Sequence, residues 1–326
     1  MLILSRSDLE ALLEVDAVIA AVEEAFRQYA RKGVRLLPRQ GLALDGRDVL
    51  LLMPCAIPGA CAVGTKSVTV CFDNPRRGLP TVMASYLLHD PETGEPLAFM
   101  EASYLTGLRT GATSAAAAKR LARPDSGVVA CFGAGAQASF QLRCLRAVLP
   151  LARVEVVSRS QVTAAAFAER QSRLLGLPVV PAASPAAALA QADVVVTATT
   201  SPTPVFDGRD LRPGTHVDAV GSFQPTTREL DTETIRRARV FVDTFEGAWH
   251  EAGDLLLPIQ EGAVSRAHVL GELADLVTGA RSGRLTVEEI TCFKSVGFAA
   301  EDAVTARLAY DRARAAGRGR TVELRT

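Results

Sequence analysis

Hydrophobic spacing divides the chain into stretches of different rhythm. Residues 7–33, "SDLEALLEVDAVIAAVEEAFRQYARKG", repeat apolar positions at three- and four-residue intervals, the period of an amphipathic helix. One or two helices are expected there, with Ser7 or Asp8 as N-cap and Gly33 as the stop. From Leu36 to Leu97 the chain changes to short apolar runs, "VLLLMP", "AVGTKSVTV" and "PTVMASYLLHD". The turn sequences "NPRRG" and "DPETGEP" part them, as in an antiparallel sheet. A helical segment dense in Ala, Gly, Ser and Thr follows, "EASYLTGLRTGATSAAAAKRLA", whose small side chains suit close packing.

From Gly127 onward, short β-branched runs alternate with helical ones. "GVVACF", "RVEVVS", "LPVVPA", "ADVVVTAT", "THVDAVG" and "RVFVD" are the strands, and this alternation predicts a parallel sheet covered by helices. The closing stretch, "TVEEITCFKSVGFAAEDAVTARLAYDRARAAG", reads as a turn and a long helix. At 326 residues the chain has room for two domains.

Charge and cysteine usage narrow the class of ligand. Lys+Arg and Asp+Glu both number 36, and this balance argues against a nucleic-acid or anionic-membrane partner and for a small molecule. The opening "MLILSRSDLEALLEV" is too short in apolar residues for a signal peptide, and no uncharged stretch approaches the roughly 18 residues that span a bilayer. A cytoplasmic location is expected. Cys55, Cys61, Cys71, Cys131, Cys144 and Cys292 form no C-x-x-C or Cys/His cluster, so buried reduced thiols are expected and no metal site. His89, His216, His250 and His268 lack partners at metal or triad spacing and read as structural, and Trp249 reads as a packing residue.

The first stretch with chemistry in it is "VVACFGAGAQASFQ", from Val128. Gly133, Gly135 and Ala138, with Ala136 and Gln137 between them, satisfy G-x-G-x-x-A between a strand and a helix. In a dinucleotide-binding unit the first glycine makes the tight turn, the second admits the pyrophosphate, and the third position packs helix on strand. The tip of the next strand chooses the cofactor. An Asp or Glu there would accept from the ribose 2′-OH of NAD, but the residues are Ser158, Arg159 and Ser160. A guanidinium and two hydroxyls suit a 2′-phosphate, so NADP(H) is expected, with NAD(H) possible.

Several blocks taken together carry a family resemblance: "GLRTGATSAAAAKRLARPDS", "FGAGAQA", "HVDAVGSFQPTTRELD", "EAGDLL" and "FKSVGFAAEDAV". In this order they resemble the ornithine cyclodeaminase/mu-crystallin family over nearly the whole chain. The resemblance implies a homodimer and an α/β fold in which a Rossmann doubly wound parallel sheet is inserted in a second α+β domain. Residues 1–117 plus 299–326 would form the substrate-binding and dimerisation domain, and 118–298 the NAD(P)-binding domain. It also implies substrate contacts at Arg39, Lys66 and Arg109, whose cations can clamp a carboxylate and polarise or protonate a C–N bond. Lys66 and Arg109 would be the catalytic pair. Thr81 and Glu251 would lie near the substrate. Further cofactor contacts would fall at Thr110, Thr197, Ala198, Thr199, Val220, Ser222, Lys294, Ser295 and Gly297.

Departures from the family's cyclodeaminase pattern point to one branch. Cyclodeaminases carry an Asp where this chain has Phe223, and a Glu where it has Leu51. Apolar groups at both positions cannot transfer a proton. The block F-D-S-V-G of the NAD-using cyclodeaminases reads Phe293-Lys294-Ser295-Val296-Gly297 here, and a lysine beside the cofactor would favour a phosphorylated dinucleotide. The expected reaction is NAD(P)H-dependent reduction of a cyclic α-imino acid. Δ1-Pyrroline-2-carboxylate or Δ1-piperideine-2-carboxylate would become L-proline or L-pipecolate, with the ring nitrogen kept protonated by Lys66 or a water. The rivals are an ornithine cyclodeaminase, an alanine-dehydrogenase-like oxidoreductase, and a non-catalytic NADPH or small-ligand binder like mu-crystallin.

Overall fold

The computed structural model describes residues 1–324 except Pro38, Arg47 and the side chain of Pro75. Strand β1 (Leu2–Leu4) leads into helices α1 (Arg6–Leu12) and α2 (Val15–Ala30). Strands β2 (Arg35–Leu36), β3 (Gln40–Ala43), β4 (Val49–Ile57), β5 (Ala62–Val70), β6 (Val82–His89) and β7 (Pro96–Glu101) precede helix α3 (Ser103–Leu121). Next come β8 (Val128–Phe132), α4 (Ala136–Val148), β9 (Arg153–Val157), α5 (Gln161–Leu175), β10 (Val179–Pro181), α6 (Pro185–Leu189) and β11 (Val194–Thr197). They are followed by β12 (His216–Ala219), α7 (Thr232–Arg237), β13 (Ala238–Val242), α8 (Phe245–Glu251) and α9 (Gly253–Gln260). The chain finishes through β14 (Val269–Glu272), α10 (Leu273–Thr278), β15 (Ile290–Lys294), α11 (Ala299–Ala316) and β16 (Arg320–Thr321).

Two compact units result, Met1–Arg109 with Ala299–Thr326, and Thr110–Phe298. The chain passes from the first to the second within α3, so the boundary expected at 117/118 falls further along the same helix. Helix ends show where local chemistry overrides spacing. Helix α1 begins two or three residues earlier than expected, because Ser5 and Asp8 form a reciprocal capping box. Helix α2 ends just before the expected stop, Gly33, with Lys32 at φ 59° in the left-handed region.

The first unit is built on a mixed sheet of order β16-β1-β7-β6-β5-β4-β2, with β3 also paired to β4. Strict alternation along β5 turns Ala62, Gly64, Lys66, Val68 and Val70 to the buried side, and α11 packs against β4, β5 and β6. The residues between them, with their neighbours on β3, β4, β6 and β7, form the outer face. Leu42, Leu52, Met83 and Phe99 are exposed there.

The second unit is an all-parallel sheet of order β10-β9-β8-β11-β12-β15-β13-β14. Strand order reverses at β8, which lies between β9 and β11, and this is the topological switch point of a doubly wound fold. Separate apolar clusters form around Phe132, Val195 and Val217, and around Val129, Leu142 and Val194. Residues 290–294, expected to be a turn, are the buried strand β15 between β12 and β13. A five-residue run buried on both faces has no alternation to reveal it. The small residues of α3 permit close approach to α4: a Cβ on Gly111 would stand 2.6 Å from the Phe140 carbonyl oxygen.

Candidate active site

In the first unit, sequence alternation sets a charged side chain on the apolar side of β5. Lys66 lies in register with Met53 and Tyr86, is 1% exposed, and reaches α11, where Nζ donates to Asp302 Oδ2 at 2.7 Å. From α3, Arg109 Nε donates to the other oxygen of Asp302 at 2.8 Å, and its Nη1 pairs with Glu301. Glu301 and Asp302 stand in the first turn of α11, where the positive end of the helix dipole favours carboxylates. All four groups are buried. Burial, reinforced by Arg109's charge, lowers the Lys66 pKa to about 8, although Asp302 opposes the shift. Burial also opposes ionisation of Asp302, but Arg109 and Lys66 outweigh it and hold the carboxyl below its usual range. The cluster therefore pairs two cations with two anions, and one of the cations gives up its proton close to physiological pH.

Leu51 is opposite Val68 in the register, so it occupies the same sheet face as Lys66, with the Leu52–Ser67 pair between them. Tyr86 packs its ring over Gly64, where a Cβ would stand 2.6 Å from it, and its hydroxyl has no hydrogen-bond partner among the described residues. Burial and the nearby Cys55 and Asp302 keep that hydroxyl neutral. A groove of 310 Å³ bordered by Arg35, Pro54, Ala56, Thr65 and His89 opens on the opposite face of the sheet, away from the Lys66 side chain.

In the second unit, the glycine-rich stretch forms the turn from β8 to α4. Gly133 sits at φ +116°, and a Cβ there would stand 2.4 Å from the Ala198 carbonyl oxygen, so only glycine fits. Gly135 is the N-cap of α4, has no side-chain cap, and would meet no atom within 4 Å with a Cβ added. A helix start capped by a glycine, with open space above it, fits a dinucleotide's pyrophosphate. At the tip of β9, Arg159 is exposed and makes no ion pair among the described residues. The Ser160 hydroxyl instead caps α5, accepting from Thr163 N at 3.3 Å.

Past β11 and β12 the polar residues turn inward. Glu229 Oε2 accepts from Thr197 Oγ1 (3.0 Å), Gly221 N (2.8 Å) and Ser222 N (3.2 Å), and Oε1 accepts from Thr199 N (2.6 Å). Asp254 Oδ1 accepts from the backbone amides of Glu229 and Leu230 at 2.7 and 2.8 Å. Lys294, fully buried, lies 2.8 Å from Asp254 Oδ2 and donates to the Ser222 carbonyl at 2.6 Å. Its ammonium thus answers a carboxylate of its own unit, and it lends no support to a phosphorylated cofactor. Ser295 and Gly297 are pinned in a similar way, by hydrogen bonds of 2.8 Å to Asp243 Oδ2.

Comparison with known proteins fits this geometry. Residues 1–317 match the model of the ornithine cyclodeaminase/mu-crystallin family. The chain belongs to that family. It is 36% identical over 325 residues to a Delta(1)-pyrroline-2-carboxylate reductase of Bacillus cereus, covering 99% of this chain and 100% of the relative. Among solved structures, the Thermococcus litoralis Delta(1)-pyrroline-2-carboxylate reductase in complex with NADH and L-proline superposes with a TM-score of 0.97. The two chains are 40% identical, with 99% and 100% covered. An archaeal alanine dehydrogenase dimer with bound NAD gives 0.93 at 35% identity, covering 99% of each chain.

Within this family member, the expected site residues divide between the units. Lys66 and Arg109 come together in the first unit, and half-buried Arg39 is near enough for its charge to lower the Lys66 pKa further. Thr81 lies at the far end of the β5–β6 hairpin, its carbonyl accepting from Cys71 N, and is not brought to the Lys66 cluster. Glu251 ends α8 in the second unit, and Thr110 opens that unit with its carbonyl accepting from Gln141. Gln137, Ala198 and Val220 are half-buried, Ala136 is exposed and Ala138 is buried. Phe223 packs partly buried against the second unit's core, as does Trp249, which stacks on Phe245 at 5.9 Å. Of the cysteines, Cys61 is exposed and Cys71 half-buried, and the other four are buried as expected. Among the described residues, no group of three or more His, Cys, Asp or Glu side chains is placed to hold a metal, and no helix is long and apolar enough to cross a membrane.

Sequence reasoning passed over Glu301, Asp302, Glu229 and Asp254. Glu301 and Asp302 were visible only as part of a family block. Their role comes from a contact 236 positions away in the chain, between Lys66 and Asp302.

Proposed function

We propose that this chain is an NAD(P)H-dependent reductase of a cyclic α-imino acid, converting Δ1-pyrroline-2-carboxylate or its six-membered homologue to L-proline or L-pipecolate. The observation that carries this reading is the buried Lys66–Asp302–Arg109–Glu301 cluster on a face where Leu51 replaces an acid. The dinucleotide, when bound, supplies the hydride that adds to the C=N carbon and leaves in its oxidised form. Everything else falls to the chain's own residues. Arg109, with Arg39, offers planar guanidinium donors to the substrate carboxylate. Glu301 and Asp302 balance Lys66 and Arg109, so a protonated ring nitrogen does not meet uncompensated positive charge. Lys66, with its pKa near 8, can hold or return a proton at that nitrogen in the working pH range. With Leu51 and Phe223 in place of acids, no side chain at those positions can handle the amino group that cyclodeamination must release.

The structural neighbours described above hold NADH and NAD, and NAD(H) use is part of this proposal. The exposed Arg159, without an ion pair among the described residues, supports acceptance of NADP(H) as well. Gly133 and Gly135 with the α4 amides would hold the pyrophosphate. A homodimer is proposed through the outer face of the mixed sheet, where Leu42, Leu52, Met83 and Phe99 stand exposed on one side. Purified protein given each reduced dinucleotide should oxidise it fastest with the cyclic imines and far more slowly with pyruvate plus ammonium. Ammonia released from ornithine without net cofactor turnover would overturn the assignment.

A further inference from the structure

In a doubly wound sheet, a dinucleotide lies across the carboxyl ends of the strands at the switch point. Here the pyrophosphate turn follows β8 and the ribose-reading tip follows β9, so the adenosine half belongs on the β9 side. The nicotinamide half then falls to the loops after β11 and β12. Those loops keep the hydroxyls of Thr197 and Ser222 bonded internally. What they can present is a backbone shape, and one carboxylate sets that shape.

Building on the proposed dinucleotide binding, we infer that Glu229 is a positioning residue for the nicotinamide half of the cofactor, acting through the loops after β11 and β12. Its two oxygens receive two donors from the β11 end, Thr197 Oγ1 and Thr199 N, and two from the β12 end, Gly221 N and Ser222 N. A single rigid group thereby fixes the separation of two loops that belong to adjacent strands. Gly221 records how closely: a Cβ there would stand 2.5 Å from both carboxylate oxygens. Glu229 is itself held from behind, because Asp254 accepts from its amide and from the next one. Lys294 closes the ring, pairing with Asp254 and returning to the Ser222 carbonyl. Packing alone could join two loops without burying charge. A fully buried carboxylate with four donors is costly to assemble and is suited to holding backbone dipoles in one orientation.

The test compares whole and partial ligands on the intact protein, without substrate. Calorimetric titration gives dissociation constants for NADH and for ADP-ribose, which lacks the nicotinamide. In Glu229→Gln one oxygen becomes an NH2, and the donors that met that oxygen lose their acceptor. NADH should bind about tenfold more weakly while ADP-ribose stays within about twofold, the first corresponding to roughly 1.4 kcal/mol. Should Glu229→Gln fail to fold, Thr197→Val removes a single donor with little change of shape and is read by the same ratio. Equal weakening of both ligands, or no change in either, overturns the positioning role. Wild-type protein that bound neither ligand would overturn the dinucleotide reading, and this inference with it.

Discussion

Each unit of this protein buries a cluster of charge, and the two are organised differently. In the first, two carboxylates at the start of α11 hold two side-chain cations, Lys66 and Arg109. In the second, two carboxylates hold mostly backbone amides, and a single lysine balances them. On the proposed function, one cluster poises groups to meet a substrate. The other, on the inference drawn above, fixes the shape of loops. The contrast teaches that a buried lysine near a site is not by itself a functional lysine. Lys66 is valuable because its partner can share it, and Lys294 because its partner cannot do without it.

The largest expected effect comes from emptying the first cluster of its guanidinium. Arg109→Met removes a partner of both Glu301 and Asp302 and the proposed carboxylate fork, and kcat/KM for the cyclic imine should fall by about a thousandfold, or roughly 4 kcal/mol. Steady-state kinetics with a fixed reduced cofactor measures it. A loss below about tenfold would mean the carboxylate is held elsewhere. The matching change in the second unit is Lys294→Met, which leaves Asp254 buried without its cation. It should cost roughly 3–5 kcal/mol of unfolding free energy in denaturant titration. The ratio of NADPH to NADH use should not move, since the ammonium faces Asp254 and Ser222 and not a phosphate.

These two lysines also show what the sequence could and could not reveal. Lys66 stands out in "AVGTKSVTV" because it is a charge on the apolar phase of an alternating strand. Nothing local marks Lys294, because β15 is a short run buried on both faces, and its environment comes from residues far off in the chain. The turn "FGAGAQA" was readable because glycine spacing is a backbone property expressed within six residues. Glu229 was not. In "QPTTRELD" it looks like a solvated acid, and only the approach of two loops turns it into the centre of a network. Local geometry is written locally. Charge pairing across the fold is not, and for that reason Asp302 and Asp254 also went unread.

Proton occupancy separates the clusters at a finer level. Lys66 has its pKa depressed to about 8, mainly by burial, so its ammonium is present below that pH and lost above it. If the ammonium is the active form, kcat/KM should decline as pH rises through about 8. Asp302 raises this pKa, so Asp302→Asn should move the decline to lower pH and reduce kcat/KM by about thirtyfold at neutral pH, the scale of one charged hydrogen bond. A pH profile that kept its basic limb in place would show that Lys66 is not the titrating group. The same linkage makes the buried ammonium a cost to stability at neutral pH, one relieved only as pH rises past 8 towards the unfolded value.

The smallest effect belongs to Arg159, the cation among the expected cofactor-binding residues that neither cluster claims. Arg159 is exposed at the tip of β9, without an ion pair among the described residues, and no buried carboxylate needs it. Its removal should therefore leave the fold's stability unchanged, unlike that of Lys294. What it can supply is a contact to a 2′-phosphate in solvent, worth only about 1–2 kcal/mol where water screens the charge. Arg159→Ala should accordingly raise the KM for NADPH about tenfold and leave that for NADH within about twofold. Equal KM changes for the two cofactors would remove the basis for NADP(H) use, because with Lys294 turned inward no other cation among the expected cofactor-binding residues stands in for it.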